Sequence, residues 1–187
     1  MTAKQKKRVS RGQWLEKALE QFASKGESGL NIEELARTLN VAKSGFYFHF
    51  KDRDDLLQHL IAYWAHEYTE VVTQNPLLLM APAEQRLLMI ATYVFEQNLT
   101  EFESAMQVWS NKDPKIATRV AKVIKMRRDF VGTAFRELGF TGDDMTARVR
   151  IFLGYITSER QIFGNRKEPS KLARELLLKL LVDKNTV

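Results

Sequence analysis

The chain contains no cysteine, which excludes disulfide frameworks, thiolate metal sites, iron–sulfur clusters and cysteine nucleophiles. Turn formers are scarce too: nine glycines and four prolines in 187 residues, against about 12% for that pair in average usage. With so few interruptions and with Leu, Lys, Glu and Ala recurring throughout, an all-helical chain is expected. No apolar run approaches the roughly 18 residues of a membrane span. The basic start, Met1 to Arg8, lacks the apolar stretch that follows in a signal peptide, so no membrane association is expected and the cytoplasm is the simplest location. The motifs of common catalytic sites are also missing. There is no Gly-x-Ser-x-Gly elbow, no Gly-Lys-Ser/Thr phosphate loop and no Gly-x-Gly-x-x-Gly fingerprint, and an enzyme is not expected. Histidine occurs only at positions 49, 59 and 66. His66 and Glu70, one helical turn apart, are two potential ligands where a metal site needs more, and such pairs are common on solvated helix faces. No metal or other cofactor is expected.

What the chain does have is a sufficient apolar fraction, 44%, to bury a core, together with 28% charged residues. The net charge of +6 is unevenly spread. Residues 1–53 hold 11 Lys and Arg against 6 Asp and Glu, whereas the remainder holds 18 against 17. A basic N-terminal module over 1–53, joined to a nearly neutral body over 54–187, points to a polyanionic partner. Nucleic acid and an anionic membrane are the two rivals.

Periodicity places the helices. Trp14, Leu15, Ala18, Leu19 and Phe22 recur at helical spacing up to the breaker Ser24-Lys-Gly-Glu-Ser-Gly29. Asn31, with Glu34 three residues on, forms a box-like cap before Ile32, Leu35, Ala36 and Leu39. After a turn at Asn40-Val41, a third short helix sets Ala42, Phe46 and Phe50 on one face and Lys43, Ser44 and Tyr47 on another. Asp52 and Asp55 cap a long fourth helix whose stripe, from Leu56 through Trp64 and Tyr68 to Val71, runs unbroken to Asn75-Pro76. Residues 76–82 are linker-like, but Leu77-Leu-Leu-Met80 is apolar enough to pack. Further helices are expected from about Ala83 to Thr100, Phe102 to Trp109, Ile116 to Leu138, Thr141 to near Gly164, and from about Pro169 onward, about nine in all.

Two short helices joined by a tight turn, the second exposing polar and aromatic groups, have the geometry of a helix-turn-helix whose outer face can meet base edges in a major groove. Three ordinary helices of a bundle core are the bland alternative, and the charge asymmetry weighs against it. The run from Ile32 to Leu56, with Leu35-Ala36, Val41, Lys43-Ser44-Gly45, Tyr47, His49-Phe50 and the acidic-Leu entry to the next helix, resembles the DNA-binding signature of TetR/AcrR-type transcriptional regulators. It covers about a quarter of the chain. Asn40 stands where the family usually has glycine, an exchange that the left-handed tolerance of asparagine allows. Phe46 replaces a commoner aliphatic residue and Arg53 a frequent lysine.

The resemblance implies that Tyr47 and His49 donate to phosphates, that Lys43 and Ser44 reach phosphates or base edges, and that Gly45 permits close approach to the duplex. Asn31 caps a helix and can also help orient that positive end toward a phosphate. Phe48, an outward aromatic, is explained either by a thymine methyl or by packing on a neighbouring helix. The arm with Lys4, Lys6, Lys7, Arg8 and Arg11 can track the backbone or enter the minor groove, or serve as a solubilising tail.

Trp64, Tyr68, Met89, Tyr93 and Phe102, with Met106, Trp109, Met126 and Phe130, lie on apolar faces of four body helices, where they serve a core or an adaptable pocket. The resemblance adds an effector cavity in this body, for an apolar or aromatic small molecule, and a homodimer formed through the last two helices, for which Phe152, Ile156, Leu176 and Leu180 are the candidates. The implied function is a ligand-responsive repressor on a palindromic double-stranded operator. An activator and a sequence-indifferent architectural DNA-binding protein are the alternatives.

Overall fold

The computed structural model describes residues 9–164 and 167–185. All regular structure among them is helical. The elements are α1 (Arg11–Lys25), α2 (Ile32–Thr38), a 3-10 turn (Lys43–Gly45), α3 (Arg53–Ala65), α4 (Pro76–Met80), α5 (Ala83–Glu96), α6 (Glu103–Ser110), α7 (Pro114–Glu137), α8 (Gly142–Phe163) and α9 (Lys167–Val182). The all-helical expectation holds, and most boundaries fall within a few residues of those set by caps and breakers. No helix among the described residues is long and apolar enough to cross a membrane.

Local chemistry accounts for most helix starts. Ser10 and Gln13 form a reciprocal capping box on α1, and the side chains of Asn31, Asp52, Asn75 and Asp113 accept from free backbone N–H groups at the starts of α2, α3, α4 and α7. Pro76 and Pro114 occupy first-turn positions, where the missing N–H costs nothing.

Two apolar cores form. The first packs α1, α2 and the 3-10 turn around Trp14, Leu19, Leu35 and Phe46, and continues through Leu60 and Trp64 of α3 to Met106 of α6 and Val120 of α7. The second holds Leu87 and Ile90 of α5 with Phe135 of α7, Phe152 of α8 and Leu181 of α9. The first half of α3 thus belongs to the N-terminal core, and its continuation reaches the body.

That continuation departs from the expected uniform helix. His66–Glu70 is wound as a π-helix before a last α-turn at Val71–Thr73. A π-stretch inside an α-helix is rare and often marks a functional site. Residues 76–80 pack less than expected: α4 buries Leu78 and leaves Leu77, Leu79 and Met80 exposed.

Three buried or half-buried arginines tie the body together. Arg86 makes a two-pronged pair with Glu137 at 3.0 Å, Arg174 of α9 meets Glu159 of α8 at 3.3 Å, and Arg148 donates to the carbonyls of Leu181 and Asp183, where α9 ends. The last contact supplies acceptor carbonyls with the donors that the helix terminus lacks.

Candidate nucleic-acid interface and body cleft

The outer surface of the helix-turn-helix is set from below. Asn40 takes the left-handed conformation (φ 57°) and lets the Val41 N–H return to the Ala36 carbonyl at 3.0 Å. The next segment is not a regular α-helix. The N–H groups of Gly45, Phe46 and His49 each bond three residues back, and only Phe50 bonds four back, to Phe46. Phe46 is fully buried, edge-on to Trp14 with centroids 5.7 Å apart and against Phe50 at 5.2 Å. With Phe46 and Phe50 held inward, the two residues after Phe46 are driven outward: Tyr47 is 55% exposed and Phe48 84%. Lys43 and Ser44 share that exposed stretch.

α2 is held by its cap. The Asn31 side chain accepts from the N–H groups of Glu33 (2.8 Å) and Glu34 (3.0 Å), while the Asn31 N–H donates to Gln21 of α1. Asn31→Ala removes both cap bonds, and an unfolding cost of about 1 kcal/mol is expected, measurable as a shift of the denaturant midpoint with an unchanged slope. A cost near zero would show that the Gln21 bond alone holds the turn.

Three of the expected DNA-facing roles need correction or restatement. The ring of His49 places Nε2 3.0 Å from the Val9 carbonyl, so that nitrogen is engaged within the protein and only Nδ1 remains for a phosphate. A Cβ added to Gly45 would meet Trp14 and Val41 at ordinary contact distances. The small size of Gly45 therefore faces the core, and close approach to a duplex does not explain it. Lys43 pairs with Glu33 at 2.8 Å, a contact that raises the lysine pKa and lowers that of the carboxylate. Lys6, Lys7 and Arg8, together with Lys4, lie outside the described residues. Arg11 places its guanidinium 5.3 Å from the Phe50 ring centre. Glu33, Gln21 and the Arg53 bonds to the Leu30 and Glu27 carbonyls carry no sequence signal, because each partner lies ten or more residues away.

In the body, a cleft of about 40 Å³ opens between the end of α3 and helices α5, α7 and α8, room for about three waters. Of the nine expected pocket residues only Tyr68 and Phe130 line it. Trp64, Phe102, Met106 and Trp109 pack in the first core. Met89 and Tyr93 lie half-buried against the second. Met126 receives the Thr73 hydroxyl at its sulfur, 3.6 Å away. Helical periodicity marks an apolar face but does not say which neighbour covers it. The other walls are aliphatic, among them Val72, Ile90 and Leu153, with one charged group, Arg127. Arg127 donates from Nε to Thr69 at 2.8 Å, and its Nη2 lies 2.7 Å from Glu103. Burial first, with nearby acidic side chains and Tyr63 behind it, drives the Tyr68 phenol far above its usual pKa, so it stays protonated.

Two of the four expected dimer residues are also corrected. Phe152 is fully buried and Ile156 lines the cleft, so neither is available to a partner. Leu176 and Leu180 are exposed, in line with Leu172 on α9, while α8 exposes Ile151, Ile162 and Phe163. His66 contacts Glu67 at 3.0 Å, and among the described residues no group of three potential ligands could hold a metal.

Comparison with known proteins agrees with this geometry. Residues 15–60 match the family described as bacterial regulatory proteins, tetR family, and the run from Ile32 to Leu56 lies within that range. No curated protein matches the chain in sequence. Among solved structures, a transcriptional regulator from Rhodococcus sp. Rha1 superposes with a TM-score of 0.74 at 12% identity, over 96% of this chain and 99% of its own. A putative tetR-family regulator from Mesorhizobium loti gives 0.68 at 19% identity, over 92% of each chain. The regulator FadR from Bacillus subtilis, solved in complex with stearoyl-CoA, gives 0.67 at 17% identity, over 95% of this chain and all of that one. The fold is that of TetR-family transcriptional regulators.

Proposed function

We propose that this chain, with a tetR-family N-terminal domain and the fold of such regulators throughout, is a dimeric transcriptional repressor whose hold on a palindromic operator is released by a small molecule in the body. The observation that carries this reading is the outward pair Tyr47 and Phe48, held on an exposed stretch with Lys43 and Ser44 by the inward anchors Phe46 and Phe50. A solvent-facing phenyl ring is poorly placed in an isolated protein and well placed against a thymine methyl. Tyr47, Ser44 and His49 Nδ1 take phosphates. Lys43 joins them by exchanging Glu33 for a backbone oxygen. Asn31 sits at the adjacent helix start, and the basic arm with Lys6, Lys7 and Arg8 is tethered at Val9, beside His49. The function is binding and not catalysis, and it is exercised where DNA is, in the cytoplasm.

The body cleft is the effector site in this reading. Its roughly three waters' worth of space is far too small for a chain like that of stearoyl-CoA, so that ligand is not carried over from the Bacillus subtilis structure. α3 begins under the exposed stretch at Asp52 and continues to Tyr68 and Thr69 on the cleft wall, one stiff element that both sites can bias.

Footprinting on the DNA flanking the protein's own gene identifies the operator, and affinities for operator and random duplex then test the sorting of contacts. Tyr47→Phe is expected to weaken both to a similar degree, because a phosphate contact carries no sequence information. Log affinity is expected to fall steeply and linearly with log salt, with a shallower slope when residues 1–8 are removed. A loss confined to the operator would make Tyr47 a base contact. Equal affinity of the intact protein for operator and random DNA would favour the architectural alternative.

A further inference from the structure

We infer that the body cleft selects a compact, apolar or aromatic monocarboxylate, whose carboxylate is bound by Arg127. This deepens the effector-site reading and rests on it. Arg127 is the charged group on a wall otherwise made of aliphatic, aromatic and threonine side chains, and its side chain is only 14% exposed. Two of its three nitrogens are engaged: Nε donates to the Thr69 hydroxyl, and Nη2 reaches Glu103 and, at 3.4 Å, the Tyr68 carbonyl. Nη1 makes no hydrogen bond to a described residue. The guanidinium carbon lies 5.4 Å from the ring centre of Trp64, whose indole N–H is buried and has no hydrogen-bond partner among the described residues. Two unfilled donors, one charged, therefore sit together at one end of the cleft. Buried donors are satisfied in nearly all folded proteins, so the missing component is an acceptor, and an anionic one matches the guanidinium best through paired N–H contacts. The remaining walls, Phe130, Ile90 and Leu153 among them, suit a flat or branched apolar body.

Glu103 argues for an anion and against a cation. It holds Arg127 from the side but is not on the cleft wall, so an amine entering the cleft would meet the guanidinium first. Glu103 stands in the first turn of α6, where the positive end of the helix supports its charge without Arg127. The ligand carboxylate and Glu103 thus compete for one cation, and the Arg127 bonds to Thr69 and Tyr68 lie in the π-wound stretch of α3 that continues toward the DNA-binding domain.

The test uses three isosteres with the intact protein: benzoate, benzamide and benzylamine, titrated by calorimetry. Benzoate is expected to bind at least tenfold more tightly than benzamide, with benzylamine undetectable. Arg127→Gln is expected to bring benzoate down to the benzamide level. Glu103→Gln, which retains shape but removes the competing charge, is expected to tighten benzoate severalfold and leave benzamide unchanged. Circular dichroism and the melting temperature establish that each variant is folded. Should Arg127→Gln fail to fold, the Glu103→Gln comparison decides alone. Equal binding of benzoate and benzamide, or a benzoate preference unmoved by Glu103→Gln, overturns the assignment of Arg127 while leaving a neutral-ligand effector site intact. Absence of binding by all three at millimolar concentration removes this ligand class. If the operator complex also resists every small molecule screened against it, the effector reading fails separately.

Discussion

Phe46→Ala is expected to lower the unfolding free energy by about 3–5 kcal/mol, the usual cost of emptying a fully buried phenylalanine site. Phe46 is completely inaccessible and meets Trp14, Tyr47 and Phe50 at ring-centre distances of 5.2–5.7 Å. Collapse around the void is limited because the segment on either side is held by short i to i+3 bonds, not by a continuous α-helix. Since domains are commonly stable by only about 5–15 kcal/mol, a large share of the molecules will lose the ordered exposed stretch, and apparent DNA affinity will fall in proportion to the competent fraction. Phe48→Ala is the matched comparison. At 84% exposure its loss should change stability by no more than about 0.5 kcal/mol while still weakening operator binding. Denaturant titration with parallel DNA binding checks both. If Phe46→Ala were as stable as the parent, the anchoring of Tyr47 and Phe48 would have to lie elsewhere.

Replacing both Leu176 and Leu180 by glutamate is expected to yield a folded monomer with operator affinity reduced by about 10²–10⁴-fold, the range by which tethering a second binding module exceeds a single one. Both residues are at least half exposed, at 50% and 61%, and lie in line with Leu172 on α9, so the substitutions cost the isolated fold little. In a two-helix face packed against its own copy, four carboxylates would be forced together without counter-charges. Sedimentation velocity reads the oligomeric state directly. An intact dimer would move the interface to other apolar exposure, such as Leu77, Leu79 and Met80 on α4. Monomers that keep full operator affinity would show that the two DNA-binding domains act independently.

Much of this protein was determined by short-range chemistry and can be read from residues alone. The caps at Ser10, Asn31, Asp52 and Asp113, the prolines at helix starts and the left-handed Asn40 all act within four residues, which is why helix placement and the resemblance carried by Ile32 to Leu56 need no coordinates. The inward and outward order of Phe46, Tyr47, Phe48 and Phe50 is legible for the same reason. Tertiary structure decided what lies across from each face. It sent Trp64, Met106 and Trp109 into the N-terminal core and left only Tyr68 and Phe130 of the expected set on the cleft. It buried Phe152 and Ile156, and it brought Arg127 to Glu103 and His49 to Val9. Periodicity states that a face is apolar, but the partner of that face is set by how helices distant in the chain cross. A charged pair separated by twenty or more residues leaves no spacing in the sequence, because its geometry exists only once those helices have packed.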